Sequence, residues 1–188
     1  MNLPNKLTML RILLIPVMLI LYCIPALHRN YIFANVSVLY FIEMIIFVIA
    51  SCTDFLDGNI ARKRNLVTTF GKFADPLADK MLTFTAMAMF LADGHLNIII
   101  FVVILIRELM VSGIRMVAAD KQVVIAAGKS GKYKTAVTMV ALIIMFFSGA
   151  HQGVAITAEV LMWIACILTI YSGIEYFIKA KDIIVESI

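Results

Sequence analysis

The chain has 188 residues, 63% of them hydrophobic, a mean hydropathy of +1.00 and a formal net charge of +4. An ordinary soluble domain is nearer half apolar, so the composition excludes a water-soluble globule and points to lipid as the main solvent. The positive charge, distributed as described below, suits anionic lipid headgroups and requires no nucleic acid.

Residues 1–11 read as a short amphipathic lead-in to the first apolar stretch, which covers roughly 9–28. That stretch is too long for the apolar core of a signal peptide and more stretches follow it, so it is expected to be retained. The others cover roughly 33–53, 77–93, 97–118, 136–150 and 154–178. Crossing the hydrocarbon core takes about 20 helical residues. The two short stretches, 77–93 and 136–150, are therefore expected to tilt or to extend into their polar flanks. A membrane β-barrel would need period-2 alternation, which a run such as 98–106 lacks. The expected fold is an all-α integral membrane protein. It has six transmembrane helices, a short amphipathic N-terminal interfacial segment and one domain over 1–188.

With the N-terminus inside, the inner segments are 1–11, 61–80, 115–135 and 179–188. Of 16 Lys and Arg residues, only Arg29 falls in an outer loop, and Arg107 sits within a span. All the others lie on the inner side, which predicts a multi-pass protein of the cell membrane with that side in the cytoplasm. Cys23, Cys52 and Cys166 all lie inside apolar stretches and read as packing residues.

The chemistry concentrates between positions 54 and 79. Asp54 and Asp57 are three apart, Asp75 and Asp79 four apart, so each pair shares a helix face. Carboxylates near a bilayer cost at least a few kcal/mol each and repel one another. Bound divalent cations offset that cost, and an all-oxygen ligand set suits Mg²⁺ or Mn²⁺. Gly58, Ala61, Gly71 and Ala78 lie near these faces and leave room for a diphosphate. Arg62 can contact a phosphate, and Thr68 can donate a hydroxyl hydrogen bond. The competing reading pairs the carboxylates at the interface with Lys63, Arg64, Lys72 and Lys80.

The run Asp54-x2-Asp57-Gly58-x2-Ala61-Arg62-x8-Gly71-x3-Asp75-x3-Asp79 resembles the signature of the CDP-alcohol phosphotransferase family at every defined position. The resemblance implies six transmembrane helices, a homodimer and a two-metal site facing the cytoplasm. It implies that Asp54, Asp57, Asp75 and Asp79 hold the metals and that Asp79 is also the general base. Gly58, Arg62 and Thr68 would contact the CDP part of CDP-diacylglycerol. Asn5, Thr8 and Arg11 would help to hold the nucleotide diphosphate. For those three, an interfacial anchor with snorkelling Lys6 and Arg11 stays open.

Two later segments bear on the acceptor. Arg107-Glu108 is an ion pair within a span, followed by Ser112, Gly113 and Arg115. It reads either as a structural pair or as part of a site in which Arg107 and Arg115 bind an anionic acceptor. Gly128-Lys129-Ser130-Gly131-Lys132-Tyr133-Lys134 opens the next helix. Its amides and lysines, Lys132 and Lys134 among them, can cradle a phosphate. Together these segments resemble those of family members that use sn-glycerol 3-phosphate as acceptor. The expected reaction is displacement by the acceptor hydroxyl with CMP leaving. No Ser, Cys or His is placed as a nucleophile, and His28, His95 and His151 all fall in outer loops. Rival readings are a family member with another acceptor, an Asp-rich prenyltransferase and a cation transporter. Glu43 reads as an interior structural residue, while Glu159 and Glu175 have no assigned role.

Overall fold

The computed structural model describes residues 2–63, 69–121, 123 and 128–185. Each apolar stretch contributes a long helix: α1 (Leu3–Tyr22), α3 (Val38–Lys63), α4 (Thr69–Ala92), α5 (Ile98–Asp120), α6 (Lys129–Met145) and α7 (Gln152–Val185). The two short stretches do extend into their polar flanks, since α4 begins at Thr69 and α6 at Lys129. The polar lead-in is not a separate element. It forms the first turns of α1, which opens with a proline in its first turn and runs on through Pro16.

Among the described residues, two helices are long and apolar enough by themselves to cross a bilayer, with windows at Asn5–Tyr22 and Gln152–Lys181. Val38–Thr53 is a shorter apolar segment. Six long helices stand where six spans were expected, and two of them hold windows apolar enough to cross a bilayer unaided. The helices between them carry charge on the faces that build the site, such as Lys80 on α4 and Arg107 and Glu108 on α5.

The link between α1 and α3 departs from a pure helix bundle. It holds a short helix α2 (Pro25–Arg29) and a two-stranded antiparallel hairpin, β1 (Tyr31–Phe33) and β2 (Val36–Ser37). Ala34 and Asn35 at its tip both have positive φ, 43° and 60°, as a type I′ turn requires. The hairpin tip packs on the α6–α7 turn. A Cβ placed on Gly149 would stand 2.6 Å from the Asn35 carbonyl oxygen, so only glycine fits there without displacing backbone. Gly149→Val is expected to destabilise the protein by about 1–3 kcal/mol through this overlap. Thermal unfolding in detergent measures it, and an unchanged midpoint would mean that the contact is not made.

The turn between α4 and α5 closes by backbone geometry. Gly94, at φ 75°, follows α4 in the left-handed region. His95 N–H donates to the Phe90 carbonyl at 2.8 Å and Gly94 N–H to that of Leu91 at 3.2 Å. This is a Schellman ending. Asn97 then caps α5 by accepting from Ile99 N–H at 2.8 Å.

On α7 most of the buried positions are small, though Met162 and Tyr176 are buried too, and large apolar residues face outward. On α7, Ala158, Ala165, Thr169, Ser172 and Ala180 are buried, whereas Ile164, Ile167, Ile170, Ile174 and Ile178 are exposed. A soluble helix would show the reverse. In lipid, apolar exposure costs nothing and close approach of backbones drives association. The larger core residues cluster around Phe146, whose ring lies 4.8 Å from Phe90 and 6.0 Å from Phe47. Glu43 lies wholly inside this bundle, and neither of its carboxyl oxygens has a hydrogen-bond partner among the described residues.

The bundle has two polar ends. At one, Tyr22 Oη donates to Asp93 Oδ1 at 2.7 Å and Tyr40 Oη to Asp93 Oδ2 at 2.6 Å. One carboxylate thereby joins α1, α3 and the end of α4. His95 packs edge-on against Tyr40 at the same end. Asp79 is fourteen residues before Asp93 on the same helix, so the other end lies roughly 21 Å away.

Candidate active site

α3 carries Asp54, Asp57, Gly58, Ala61 and Arg62 on one continuous helix, and α4 carries Gly71, Asp75 and Asp79 on the next. The backbone therefore supports the helical spacing read from the motif. The side chains of Asp54, Asp57 and Arg62 lie outside what the structure describes, and so does Thr68 altogether. α4 continues through Pro76, which supplies no backbone N–H to the turn before it.

The N-terminal residues come to the motif. Thr8 is wholly buried, and its hydroxyl donates to Asp75 Oδ1. Arg11, one turn on, is also buried, and Asn5 is half-buried. Of the two residues in the interfacial-anchor reading, Lys6 is exposed and Arg11 is buried.

Next to Asp79 opens a cavity of about 640 Å³, bounded by α4, α5, α6 and α7. Asp79, Arg107, Arg115, Lys132 and Lys134 all line it. The two segments read as acceptor-binding, and the last carboxylate of the motif, thus face one space. Among the described residues, six basic side chains line the cavity against three carboxylates, Asp79, Glu108 and Glu175. The excess of positive charge suits an anionic ligand. Arg115 is exposed and lies over the Tyr176 ring, 5.6 Å from its centroid. Lys132 is exposed, whereas Lys134 is buried.

Glu108 gathers the cations. Its Oε1 accepts from Lys134 Nζ and from Arg107 Nη1, the latter at 2.7 Å. Its Oε2 lies 3.4 Å from Lys80 Nζ, which also donates to Ser112 Oγ. The Arg107–Glu108 pair read from the sequence is real, but it is one edge of a network across three helices. Lys80, the residue after Asp79, turns toward α5. Arg107 Nε is buried with no hydrogen-bond partner among the described residues. A Cβ on Gly131 would stand 3.9 Å from Arg107 Nη2, in ordinary contact.

The amide cradle expected at the start of α6 is altered. Glu175 on α7 accepts from Ser130 Oγ and from Lys179 Nζ, the latter at 2.6 Å. A Cβ on Gly128, the cap of α6, would meet Glu175 Oε1 at 2.7 Å. A carboxylate already stands at this helix N-terminus, where the dipole favours it. An incoming anion must therefore rely on the lysine and arginine side chains.

Sequence reasoning gives Ser112, Ser130 and Glu175 no role of their own, and gives Lys80 only that of an interfacial partner for the carboxylates. Lys80 had one signal, its place directly after the motif. Glu175 had none, because its importance arises from the packing of α7 against α6.

Among the described residues, no group of three or more His, Cys, Asp or Glu side chains comes together as a metal site. Two of the four motif side chains fall outside that set. The donor chemistry fits a hard divalent cation: the motif offers only carboxylate oxygen, and one of its members is already oriented by Thr8.

Comparison with known proteins agrees with this geometry. Residues 1–171 match the model of the CDP-alcohol phosphatidyltransferase family. A protein of Rickettsia typhi is 40% identical over 183 residues, covering 96% of this chain and 97% of its own length. One of Bacillus subtilis is 39% identical over 182 residues, covering 95% and 94%. One of Haemophilus influenzae is 34% identical over 191 residues, covering 100% and 97%. All three are named CDP-diacylglycerol–glycerol-3-phosphate 3-phosphatidyltransferase. Motif and similarity over nearly the whole length agree: the chain belongs to the CDP-alcohol phosphatidyltransferase family.

Proposed function

We propose that this protein transfers the phosphatidyl group of CDP-diacylglycerol to sn-glycerol 3-phosphate, giving phosphatidylglycerophosphate and CMP. The observation that carries the reading is the shared cavity, where a motif carboxylate and four candidate phosphate-binding cations face one space. Asp79 accepts the proton of the acceptor's 1-hydroxyl. The resulting oxygen attacks the β-phosphorus of the donor, the bond to CMP breaks, and the phosphatidyl group is left on the acceptor. Arg107, Arg115, Lys132 and Lys134 hold the acceptor's phosphate, which fixes the hydroxyl for attack. Asn5, Thr8, Arg11, Gly58, Arg62 and Thr68 hold the nucleotide part of the donor, and the hydrogen bond from Thr8 to Asp75 supports that grouping.

Asp54, Asp57, Asp75 and Asp79 would hold Mg²⁺ or Mn²⁺ in a two-metal site. When bound, the metals supply charge neutralisation at the diphosphate. The same reading takes all six long helices as spans, with membrane lipids around them, the site facing the cytoplasm and two copies forming a homodimer. The concentration of basic residues on one side, with Arg29 in an outer loop and Arg107 within a span, supports the orientation.

Purified protein supplied with CDP-diacylglycerol should release CMP only when glycerol 3-phosphate is added. Chelation should abolish the release, and Mg²⁺ or Mn²⁺ should restore it. CMP release with phosphatidylglycerol instead would move the protein to a different acceptor, and turnover that survives chelation would remove the metal site.

A further inference from the structure

We propose that Glu108 is a positioning residue for the acceptor. It holds Lys134 and Arg107 so that their remaining donors converge on the acceptor phosphate, and it ties them through Lys80 to the helix that carries Asp79. The inference rests on the acceptor-site reading above and deepens it.

Four observations carry it. First, Glu108 stands among cations from three helices: Lys80 of α4, its neighbour Arg107 on α5, and Lys134 of α6. Without a carboxylate between them, these charges would repel and spread apart. Second, the pairing is selective within Arg107. Nη1 is turned to Glu108 at 2.7 Å, while Nε is buried and has no hydrogen-bond partner among the described residues. A buried, unsatisfied guanidinium donor costs free energy unless a ligand takes it. The edge formed by Nε and Nη2 is the edge that grips a phosphate with two parallel hydrogen bonds. Third, the surroundings leave that arginine room. A Cβ on Gly173 would press to 3.2 Å from Arg107 Cγ, so the glycine lets the side chain pass α7. Fourth, Lys80 is anchored twice on α5, at Ser112 Oγ and near Glu108, and it directly follows Asp79. The position of the base is thereby coupled to that of the acceptor cations.

Glu108 touches neither reacting atom, so its effect must appear in acceptor binding. Glu108→Gln keeps the size of the side chain and removes its charge. It is expected to raise KM for glycerol 3-phosphate at least about tenfold, the size of one lost charge-assisted contact. KM for CDP-diacylglycerol should stay within about twofold, well below the effect of losing one such contact. Glu108→Asp keeps the charge at shorter reach and should fall between the parent and Glu108→Gln. It also serves if the glutamine variant does not fold. In a Lys134→Met background, Glu108→Gln should cost far less than it does alone, because the two residues act as a unit. A rise in both KM values together, or a loss confined to kcat, would mean a merely structural role and overturn the proposal. If Arg107→Ala and Lys134→Ala change acceptor KM but neither Glu108 variant does, this proposal alone fails. If none of the four has an effect, the acceptor-site reading falls with it.

Discussion

Asp79→Asn is expected to lower CMP release by about 10²–10⁴-fold, the usual contribution of a positioned general base. Asparagine matches aspartate in shape and stays in α4 without strain, so the helix should persist. The Asp79 carbonyl already accepts a hydrogen bond from Thr83 Oγ1 at 3.0 Å, and that contact does not depend on the side chain. What the substitution removes is basicity and one negative charge at the mouth of the cavity. The loss of charge also weakens any metal held by the motif, which places the expected loss toward the upper part of the range. CMP release at saturating substrates, paired with thermal unfolding of the same preparation, makes the comparison. A variant that unfolds like the parent and still turns over at near-normal rate would exclude Asp79 as the base.

The second large effect concerns the acceptor. Arg107→Ala should lower kcat/KM for glycerol 3-phosphate by roughly 10–150-fold, equivalent to about 1.5–3 kcal/mol for a charge-assisted contact with phosphate. Removing Arg107 does not orphan Glu108, which keeps Lys134 and the nearby Lys80. The loss should therefore reflect the missing phosphate contact more than collapse of the network. Lys132→Ala, at an exposed position, should fall toward the lower end of the range. Plain glycerol, which has no phosphate, should be a poor acceptor for the parent and should lose far less in either variant. Donor affinity should change little, since its contacts are assigned to other residues. If both variants keep parental kinetics with glycerol 3-phosphate, the acceptor site is wrongly placed.

The helices were legible because long apolar runs have few alternatives in lipid, where backbone groups must be satisfied within the segment. The hairpin was not. Tyr31, Ile32, Phe33 and Val36 look like the start of an apolar span, and Ala34-Asn35 lacks the glycine that usually announces a two-residue turn. The far end of α7 was read short, because Lys179 and Lys181 end the apolar run but do not end the helix. Within the site, the four aspartates stood out through spacing along single helices, which a sequence displays directly. The links from Lys80 to Ser112 and from Ser130 to Glu175 span 32 and 45 positions. Such pairs form only when particular helix faces meet, and nothing in the local pattern of either partner announces them. Arg107-Glu108 lay between these cases. The pair was visible, but its third and fourth members, Lys134 and Lys80, came from other helices.

The two tyrosines that share Asp93 have a mechanical consequence. They pin α1, α3 and α4 together at one point, and the motif residues of α4 sit at the far tip of a lever roughly 21 Å long. A tilt of about 5° around that pivot would swing Asp79 by about 2 Å. Misplacement of only about 1 Å is enough to slow a positioned reaction a hundredfold. The stiffness of a joint made of two phenols and one carboxylate, far along α4 from the motif, therefore limits how steadily Asp79 is held.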